Sequence, residues 1–201
     1  MNPGIFISAI ILAAGQSKRM GMPKLLMPLE HGTILEQTVD NFLNSRVNET
    51  IVVLGYKADE LMQKLVGKQV KTVINPVYKQ GMSTSIIAGM ESIHAQTNGI
   101  MIGLADEPFI DSQTINRLID EYSNHKKGIA IPSYRGIRGR PAIYNIKYKD
   151  ELAKIKGDIG CRLIVSHHPD DILEVQVDCK GINHDIDTMA DYRLYGRGSW
   201  V

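Results

Sequence analysis

Small and basic residues follow the first apolar segment of the chain. Residues 13–15 read Ala-Ala-Gly, so another molecule can approach the backbone closely, and Gly21 permits a positive φ angle. Lys18, Arg19 and Lys24 add three cations within seven residues. A glycine-containing loop with inward backbone N–H groups and nearby cations suits a polyanion. The residue types and their spacing therefore predict a loop that binds phosphate groups.

The same composition is also found in solvated surface loops, so the position of the segment matters. It comes directly after an apolar run at residues 5–12, which is typical of a buried parallel strand and favours the phosphate site. Two common nucleotide motifs are excluded. No Gly-Lys-Ser/Thr sequence closes the loop, and it contains no Gly-x-Gly-x-x-Gly pattern.

Acidic residues follow later apolar runs. Asp106 ends the fourth predicted strand, and reacting groups of open α/β sheets gather at the carboxyl ends of strands. A carboxylate beside bound phosphate groups is best explained as a ligand of Mg²⁺, which uses phosphate oxygens for much of its coordination. The alternative role, capping a helix, fits Asp111 better, and Glu107 is expected to face outward. Asp185 and Asp187 share one face of an extended segment, so either can complete the metal site.

Other polar segments allow two interpretations each. Residues 80–85 begin a predicted helix, where hydroxyl and free N–H groups bind an anion or a base edge, or simply cap the helix. Arg138 and Arg140 lie in a glycine-punctuated stretch and are candidates for binding a second phosphate-bearing molecule, with a solvated hairpin as the alternative. The histidines and aspartates of residues 167–171 are interpreted as a surface turn, because adjacent side chains at a helix end point apart.

Strands and helices alternate along the chain. Apolar runs predict strands, and apolar residues at helical spacing predict helices, the first of them capped by Thr33. The predicted strands are residues 5–12, 51–54, 70–74, 99–104, 129–132, 142–144 and 172–177. The predicted helices are residues 33–46, 58–66, 80–90 and 112–122, and a further helix that opens at the turn of residues 157–162 and ends near residue 167. This order predicts an α/β fold with a Rossmann-like, mostly parallel sheet and helices on both faces, in a single domain over residues 1–201.

Composition narrows the classes of function. A chain of 201 residues with 43% hydrophobic and 22% charged residues is ordinary for one folded domain. A net charge of +1 gives no reason to expect nucleic-acid binding, and no apolar stretch approaches the roughly eighteen residues of a membrane span. Residues 1–4 lack the basic region of a signal peptide. Cys161 and Cys179 form no disulfide framework, so a cytoplasmic location is expected.

The motif Leu12-Ala13-Ala14-Gly15-x-Ser17-x-Arg19-Met20-Gly21-x-Pro23-Lys24 resembles the signature loop of the MobA-like nucleotidyltransferase superfamily. Within it, the molybdenum cofactor cytidylyltransferase branch is the most similar. The resemblance extends to Gly-Met-x-x-Ser from residue 81, Asp-x-Pro from 106, Gly-x-Pro from 139 and Gly-Asp-x-Gly-x-Arg from 157. Asp-Ile-Asp-Thr from 185 is a partial match, because Met-Ala follows where relatives have Pro-Glu. The fold implied is of the nucleotide-diphospho-sugar transferase type.

The resemblance implies a role for each matching residue. Arg19, Lys24 and Asp106 would be catalytic, and analogy favours Asp187 over Asp185 as the second Mg²⁺ ligand beside Asp106. The residues implied in binding the donor nucleotide are Leu12, Ala13, Ala14, Gly15, Ser17, Lys18, Arg19, Lys24, Gly81, Ser83 and Ser85. The residues implied in binding the acceptor are Arg138, Arg140, Asp158 and Arg162.

The implied reaction moves CMP from CTP to a phosphate-bearing acceptor, the molybdenum-bound pterin cofactor, and releases pyrophosphate. A molybdenum hydroxylase would be the client for the product. Ala14 and the Pro23-Lys24 pair match cytidylyl-transferring relatives, and the Ala14 methyl would reduce room for a purine. Three alternatives remain open: guanylyl transfer to the same cofactor, a sugar- or alditol-phosphate nucleotidyltransferase, and a non-catalytic accessory protein that binds nucleotide or cofactor.

Overall fold

A mixed eight-stranded sheet runs through the protein, whose computed structural model describes residues 4–195. The strands are β1 Ile7–Ala13, β2 Pro28–Leu29, β3 Gly32–Thr33, β4 Glu49–Leu54, β5 Lys71–Ile74, β6 Gly99–Leu104, β7 Ile129–Tyr134, β8 Ile137–Arg138, β9 Ala142–Asn145 and β10 Ile172–Gln176. The α-helices are α1 Ile34–Leu43, α2 Ala58–Gln63, α3 Met82–Met90, α4 Ser112–Asn124, α5 Lys149–Leu152, α6 Arg162–His167 and α7 Met189–Tyr195. Strands β2 and β3 form a separate small hairpin.

Strand β1 lies near the middle of the sheet, whose order is β10-β7-β9-β6-β1-β4-β5. It is parallel to both β4 and β6, and β5 continues the parallel arrangement beyond β4. Strand β9 is inserted antiparallel between β6 and β7, and β8 forms an antiparallel hairpin with β7. The prediction of a mostly parallel α/β sheet is therefore confirmed around β1, and the reversed β9 is the feature that the sequence did not indicate.

Helices cover both faces of the sheet, so β1 is buried on both sides. Its four odd-numbered residues are packed in one apolar cluster with side chains from α1, α2 and α4. Ile10 and Leu12 belong to a second cluster, with side chains from α3, α5 and α6. Alternate residues of a strand point to opposite faces, so one uninterrupted apolar strand supports two cores. The predicted two-sided arrangement is confirmed.

Local capping interactions fix where two helices begin. Thr33 Oγ1 accepts a hydrogen bond from Glu36 N at 3.2 Å, and Glu36 Oε2 accepts one from Thr33 N at 2.9 Å. Asp111 Oδ1 accepts a hydrogen bond from Thr114 N at 2.6 Å, which confirms the predicted cap of α4. Helices α1 and α2 each end three residues before the predicted limit, within the usual uncertainty of helix ends.

None of the helices within residues 4–195 is long and apolar enough to cross a membrane. Both cysteines are free thiols of intermediate exposure. Burial raises the pKa of the Cys161 thiol to about 12, although a hydrogen bond with Tyr144 opposes this shift. A thiol with so high a pKa is a poor nucleophile at neutral pH, and Cys161 packs against the second apolar cluster of the protein.

Candidate active site

The predicted phosphate-binding loop and Asp106 leave the sheet side by side. Strands β1 and β6 are parallel neighbours, with Leu12 opposite Leu104. Just beyond the strands, Ala105 N donates a hydrogen bond to the Leu12 carbonyl at 3.1 Å. Because both strands end at the same edge of the sheet, the residues that follow them meet there.

Ser17 shapes the loop through its backbone and its side chain. Ser17 and Gly21 adopt positive φ angles of 52° and 69°. The Ser17 carbonyl accepts hydrogen bonds from Met20 N and Gly21 N at 3.0 and 3.2 Å. Its Oγ accepts a hydrogen bond from Lys24 N at 3.2 Å. Ser17 therefore positions the backbone of Lys24, which opens a short 3-10 helix, Lys24–Leu26.

Lys24 is the central cation of the site. Its Nζ lies 2.5 Å from Asp106 Oδ2 and 2.6 Å from Asp187 Oδ1, and the residue is only 8% exposed. Burial alone would lower the pKa of Lys24, but Asp106 and Asp187 outweigh it and raise that pKa. Burial alone would also raise the pKa of Asp187, but Lys24 and then Arg19, which forms an ion pair with Asp187, hold it below the ordinary value. Both partners are charged at neutral pH.

Asp185 joins Asp106 and Asp187 in a cluster in which one oxygen of each carboxylate lies within 4.8 Å of the others. Burial, followed by the charges of Asp187 and Asp106, raises the pKa of Asp185. Asp106 Oδ1 is buried and has no hydrogen-bond partner among residues 4–195. An unsatisfied carboxylate oxygen beside two further carboxylates matches the oxygen ligands that Mg²⁺ and Mn²⁺ prefer. The cluster therefore fits a divalent cation, and both Asp185 and Asp187 reach it.

The segment that carries these two aspartates is tied to the strand end of β6. Ile186 N donates a hydrogen bond to the Asp106 carbonyl at 3.0 Å, and the Ile186 side chain is fully buried. Asp191 Oδ2 accepts hydrogen bonds from Thr188 N at 2.7 Å and Thr188 Oγ1 at 2.8 Å. The buried isoleucine between two aspartates explains why both carboxylates face the site.

A cavity of about 390 Å³ opens beside Lys24 and the phosphate-binding loop. Its walls come from the loop, the start of α3, the end of β6 and two acidic segments. The lining residues are Leu12, Ala14, Gly15, Gln16, Ser17, Lys18, Arg19, Lys24, Leu25, Tyr78, Lys79, Gly81, Met82, Ser85, Leu104, Asp106, Asp158 and Asp187. The structure thus brings together most of the residues that the sequence assigned to the donor nucleotide.

Two of the predicted donor residues are not among the lining residues. Ala13 is 1% exposed and packs in the apolar cluster that holds the other odd-numbered residues of β1, because every second residue of a strand points to the same face. Ser83 is 2% exposed, and its backbone N–H donates to the Gly157 carbonyl at 3.0 Å. Conversely, the sequence did not single out Tyr78 and Lys79, which line the cavity just before the Gly-Met-x-x-Ser motif.

The start of α3 is held by the Gly157-Asp158 turn. Asp158 Oδ1 accepts a hydrogen bond from Met82 N at 2.8 Å. A Cβ on Gly81 would lie 2.7 Å from the Gly157 carbonyl carbon, so this close approach requires a glycine. Asp158, assigned to the acceptor from the sequence, therefore lines the same cavity as the phosphate-binding loop and holds the start of α3.

Buried Asn75, which the sequence did not identify, positions another residue of the cavity. It is 1% exposed, and its Nδ2 donates to Ser85 Oγ at 3.0 Å and to Thr84 Oγ1 at 2.8 Å. Its Oδ1 accepts a hydrogen bond from Val77 N at 3.0 Å. An Asn-Pro dipeptide after a strand signals a turn, but it does not indicate which side chains the amide will bind.

The expectation that Glu107 faces outward is wrong. Glu107 is 1% exposed, and its Oε1 lies 2.5 Å from both Nε and Nη2 of Arg140. Burial raises the pKa of Glu107, an effect that Arg140 opposes and Asp106 reinforces. The buried position is possible because a guanidinium 33 residues away neutralises the carboxylate, a pairing that no local pattern reveals.

Arg138 and Arg162 are not brought to the cavity. Arg138 lies on the exposed β7–β8 hairpin, and its Nε is 2.8 Å from Glu174 Oε2. This arrangement matches the solvated hairpin, the second interpretation of this stretch. Arg162 is the exposed first residue of α6. The predicted surface turn at residues 167–171 likewise holds no metal cluster in the described part of the chain, and His168 Nε2 contacts Glu151 at 3.0 Å.

Comparison with known proteins gives several relatives of the same overall length. The molybdenum cofactor cytidylyltransferase of Escherichia coli (strain K12) is 34% identical over 140 residues, which cover 68% of this chain and 69% of the relative. The nicotine blue oxidoreductase of Paenarthrobacter nicotinovorans is 28% identical over 201 residues, which cover 94% of this chain and 96% of the relative.

A solved structure has the same fold. The crystal structure of Rv0371c from Mycobacterium tuberculosis H37Rv, a complex with manganese, superposes with a TM-score of 0.80 at 26% sequence identity. The alignment covers 95% of this chain and 97% of the mycobacterial chain. The family model of the MobA-like NTP transferase domain matches residues 9–172, a span that includes the phosphate-binding loop, Lys24 and Asp106. The chain belongs to the MobA-like NTP transferase family.

Proposed function

We propose that the protein transfers CMP from CTP to the phosphate of the molybdenum-bound pterin cofactor and releases pyrophosphate, with Mg²⁺ as its metal ion. One observation carries the proposal. The Lys24 ammonium lies between Asp106 and Asp187 at the edge of a cavity lined by a phosphate-binding loop. A cation, a carboxylate cluster and a polyanion loop are the groups that nucleotidyl transfer needs at one place.

The reaction requires the protein to align the acceptor phosphate with CTP and to neutralise their negative charge. An oxygen of the acceptor phosphate attacks the α-phosphorus of CTP and forms a new O–P bond. The bond from that phosphorus to the oxygen bridging to the β-phosphate breaks, and pyrophosphate leaves with the electron pair. Since the nucleophile is already an anion, no general base is required. Arg19 and Lys24 offset the negative charge that develops on the phosphates.

Asp106, with Asp187 and Asp185, would hold the Mg²⁺ ion. When bound, the ion neutralises phosphate charge beside the reacting phosphorus. The protein residues would orient the donor: the loop offers backbone N–H groups and Lys18, and Lys79 lines the same cavity. Ser85 in the first turn of α3 and Asp158 beside it also line the cavity and would contact the nucleoside.

Ala14 supports a pyrimidine base. It lines the cavity, and its Cβ is packed so closely that a Cβ on Gly55 would lie 2.8 Å from it and 2.8 Å from Tyr78. The Ala14 methyl group therefore lies in a closely packed wall of the cavity. A purine would need that space, so CTP is the proposed donor. The 34% identity to a molybdenum cofactor cytidylyltransferase supports the same choice and the pterin acceptor.

The same similarity is the basis for the client enzyme that we propose. A molybdenum hydroxylase would receive the product. Cys161 and Cys179 are free thiols, which fits the reducing cytoplasm that we propose for the protein.

The proposal is tested by incubating the protein with Mg²⁺, molybdenum-loaded pterin cofactor and each of the four nucleoside triphosphates, and measuring pyrophosphate. We expect release with CTP alone. Asp106→Asn should abolish it, whereas Asp120→Asn, which removes a surface ion pair with Arg46, should not. Release with GTP instead would keep the reaction class and overturn the base assignment.

The alternatives give different outcomes in the same assay. Another nucleotidyltransferase would release pyrophosphate only when a sugar or alditol phosphate replaces the pterin. A non-catalytic accessory protein would bind nucleotide or pterin without releasing pyrophosphate. An oxidoreductase, the activity named for the relative from Paenarthrobacter nicotinovorans, would also release none.

A further inference from the structure

A buried ion pair lies next to the acidic cluster. Glu107 follows Asp106 directly, and its side chain is 0% exposed, whereas the side chain of Arg140 is 40% exposed. Both Nε and Nη2 of Arg140 lie 2.5 Å from Glu107 Oε1. A buried carboxylate that lost its partner would be strongly destabilised, so Glu107 holds one edge of the guanidinium in a fixed orientation.

The backbone of Arg140 is fixed as well. Arg140 N donates a hydrogen bond to the Ile182 carbonyl at 3.1 Å. A Cβ on Gly139 would lie 2.3 Å from the same carbonyl oxygen, so this approach of the two chain segments requires a glycine. Ile182 precedes Asp185 by three residues and is fully buried. The main chain of Arg140 is therefore anchored to the segment that carries two carboxylates of the cluster.

The guanidinium of Arg140 has further N–H donors on the edge that faces away from Glu107. A guanidinium has five N–H donors, and the described residues provide no hydrogen-bond acceptor for the side chain other than Glu107. Nη2 lies 4.0 Å from Asp185 Oδ2, too far for a direct hydrogen bond but next to the cluster. Arg140 is not among the residues that line the cavity assigned to CTP, which has its own cations.

We propose that Arg140 binds the phosphate group of the acceptor, and that Glu107 is a positioning residue that orients Arg140 for this contact. This inference rests on the proposed function. An acceptor anion must approach three carboxylates and a triphosphate, and repulsion keeps it away unless a cation outside the donor cavity meets it. Arg140 is anchored beside the three carboxylates and outside the donor cavity. A fixed guanidinium edge recognises a phosphate through paired hydrogen bonds.

Initial-rate kinetics with CTP and the molybdenum-loaded pterin test the assignment. Arg140→Gln should raise the KM for the pterin by about 10-fold to 100-fold, the loss expected for a charge-assisted hydrogen bond, and leave the KM for CTP within about twofold. Glu107→Gln should raise the same KM, and should add less than about twofold in the Arg140→Gln background, because both changes act through one guanidinium. Arg46→Gln, at a surface ion pair, is the matched control.

A second variant covers the case in which Glu107→Gln does not fold. Arg140→Lys keeps a cation opposite Glu107 but lacks the guanidinium edge, so it should retain the fold and show an intermediate KM for the pterin. Equal increases in the KM for CTP and for the pterin, or an effect of Glu107→Gln that persists without Arg140, would overturn the inference and leave the proposed function standing.

Failure of the proposed function is recognised separately by a binding measurement. Phenyl phosphate serves as a phosphate monoester probe in the presence of Mg²⁺ and the unreactive α,β-methylene analogue of CTP. If no pyrophosphate is released but phenyl phosphate binds and Arg140→Gln abolishes binding, the anion site stands and the reaction is wrong. If binding is absent or independent of Arg140, the inference is overturned.

Discussion

The ammonium of Lys24 and the carboxylate of Asp106, 82 positions apart in the chain, meet at 2.5 Å beside the nucleotide cavity. The same ammonium contacts Asp187 at 2.6 Å, so it lies between two of the three carboxylates that we assign to the metal ion. Without nucleotide, we expect Lys24 to neutralise part of their charge and to compete with a divalent cation for their oxygens. Donor phosphates would give the ammonium other partners, and the site would then favour metal and nucleotide together.

Replacing Lys24 should therefore affect metal binding and catalysis in opposite directions. Lys24→Gln should tighten Mn²⁺ binding in the absence of nucleotide by about tenfold, because one competing positive charge is removed at short range. The same change should lower the rate of pyrophosphate release by at least about 100-fold. Electron paramagnetic resonance of free Mn²⁺ gives the affinity. Lys57→Gln, at a surface pair with Glu60, is the control, and Mn²⁺ binding that is unchanged or weaker would contradict the competition.

The methyl group of Ala14 should restrict the choice of base. Ala14→Gly should raise the ratio of kcat/KM for GTP over CTP by about tenfold, since it removes a methyl group from a closely packed wall of the cavity. Ala14→Ser keeps a side chain of similar size and should retain the preference for CTP. Steady-state pyrophosphate release with each nucleotide gives both ratios. If glycine and serine variants showed the same ratio, the size of residue 14 would not be the determinant.

Features encoded by neighbouring residues could be predicted from the sequence. Thr33 and Asp111 cap helices through contacts three residues away, so their pattern is visible locally. The apolar run of β1 indicated a buried strand, and a buried strand places the following loop at a sheet edge. The position of Asp106 after β6 then followed, because parallel strands end together.

Features that depend on distant partners could not be predicted from the sequence. The burial of Glu107 depends on Arg140, and the position of Ser85 depends on Asn75, contacts that the fold creates rather than any spacing. The antiparallel insertion of β9 also has no signal of its own, since an apolar strand has the same pattern in either direction. Ala13 was assigned to the nucleotide from a motif, although strand alternation directs it into the core.

Asn75 should contribute to both stability and nucleotide binding. Its amide joins Val77 N to the hydroxyls of Thr84 and Ser85, so Asn75→Ala removes three hydrogen bonds and leaves the buried Ser85 hydroxyl without this donor. We expect a loss of about 2 kcal/mol in the free energy of unfolding and a KM for CTP several-fold higher. Urea unfolding and initial rates measure the two effects. Asn124→Ala, at the exposed end of α4, is the control, and an equal loss there would remove the special role of Asn75.

Asp171 should make the stability depend on pH in the acid range. Burial alone would raise the pKa of Asp171, but hydrogen bonds from Lys147, Tyr148 and Gly128 N outweigh it and lower that pKa from 3.8 to about 2. A lowered pKa in the folded state means that the stabilisation is complete above pH 4 and is lost as the pH falls towards 2. Asp171→Asn should therefore cost about 2 kcal/mol at pH 7 and progressively less below pH 4.

Urea unfolding at pH 7, 5, 4 and 3 measures this dependence. Asp170→Asn is the matched control, since the exposed side chain of Asp170 forms no ion pair with a residue in the described range 4–195. The difference between the Asp171 variant and the wild type should narrow as the pH falls, whereas the Asp170 variant should stay close to the wild type throughout. A difference for Asp171→Asn that is constant from pH 7 to pH 3 would mean that its ion pair with Lys147 does not stabilise the charged carboxylate.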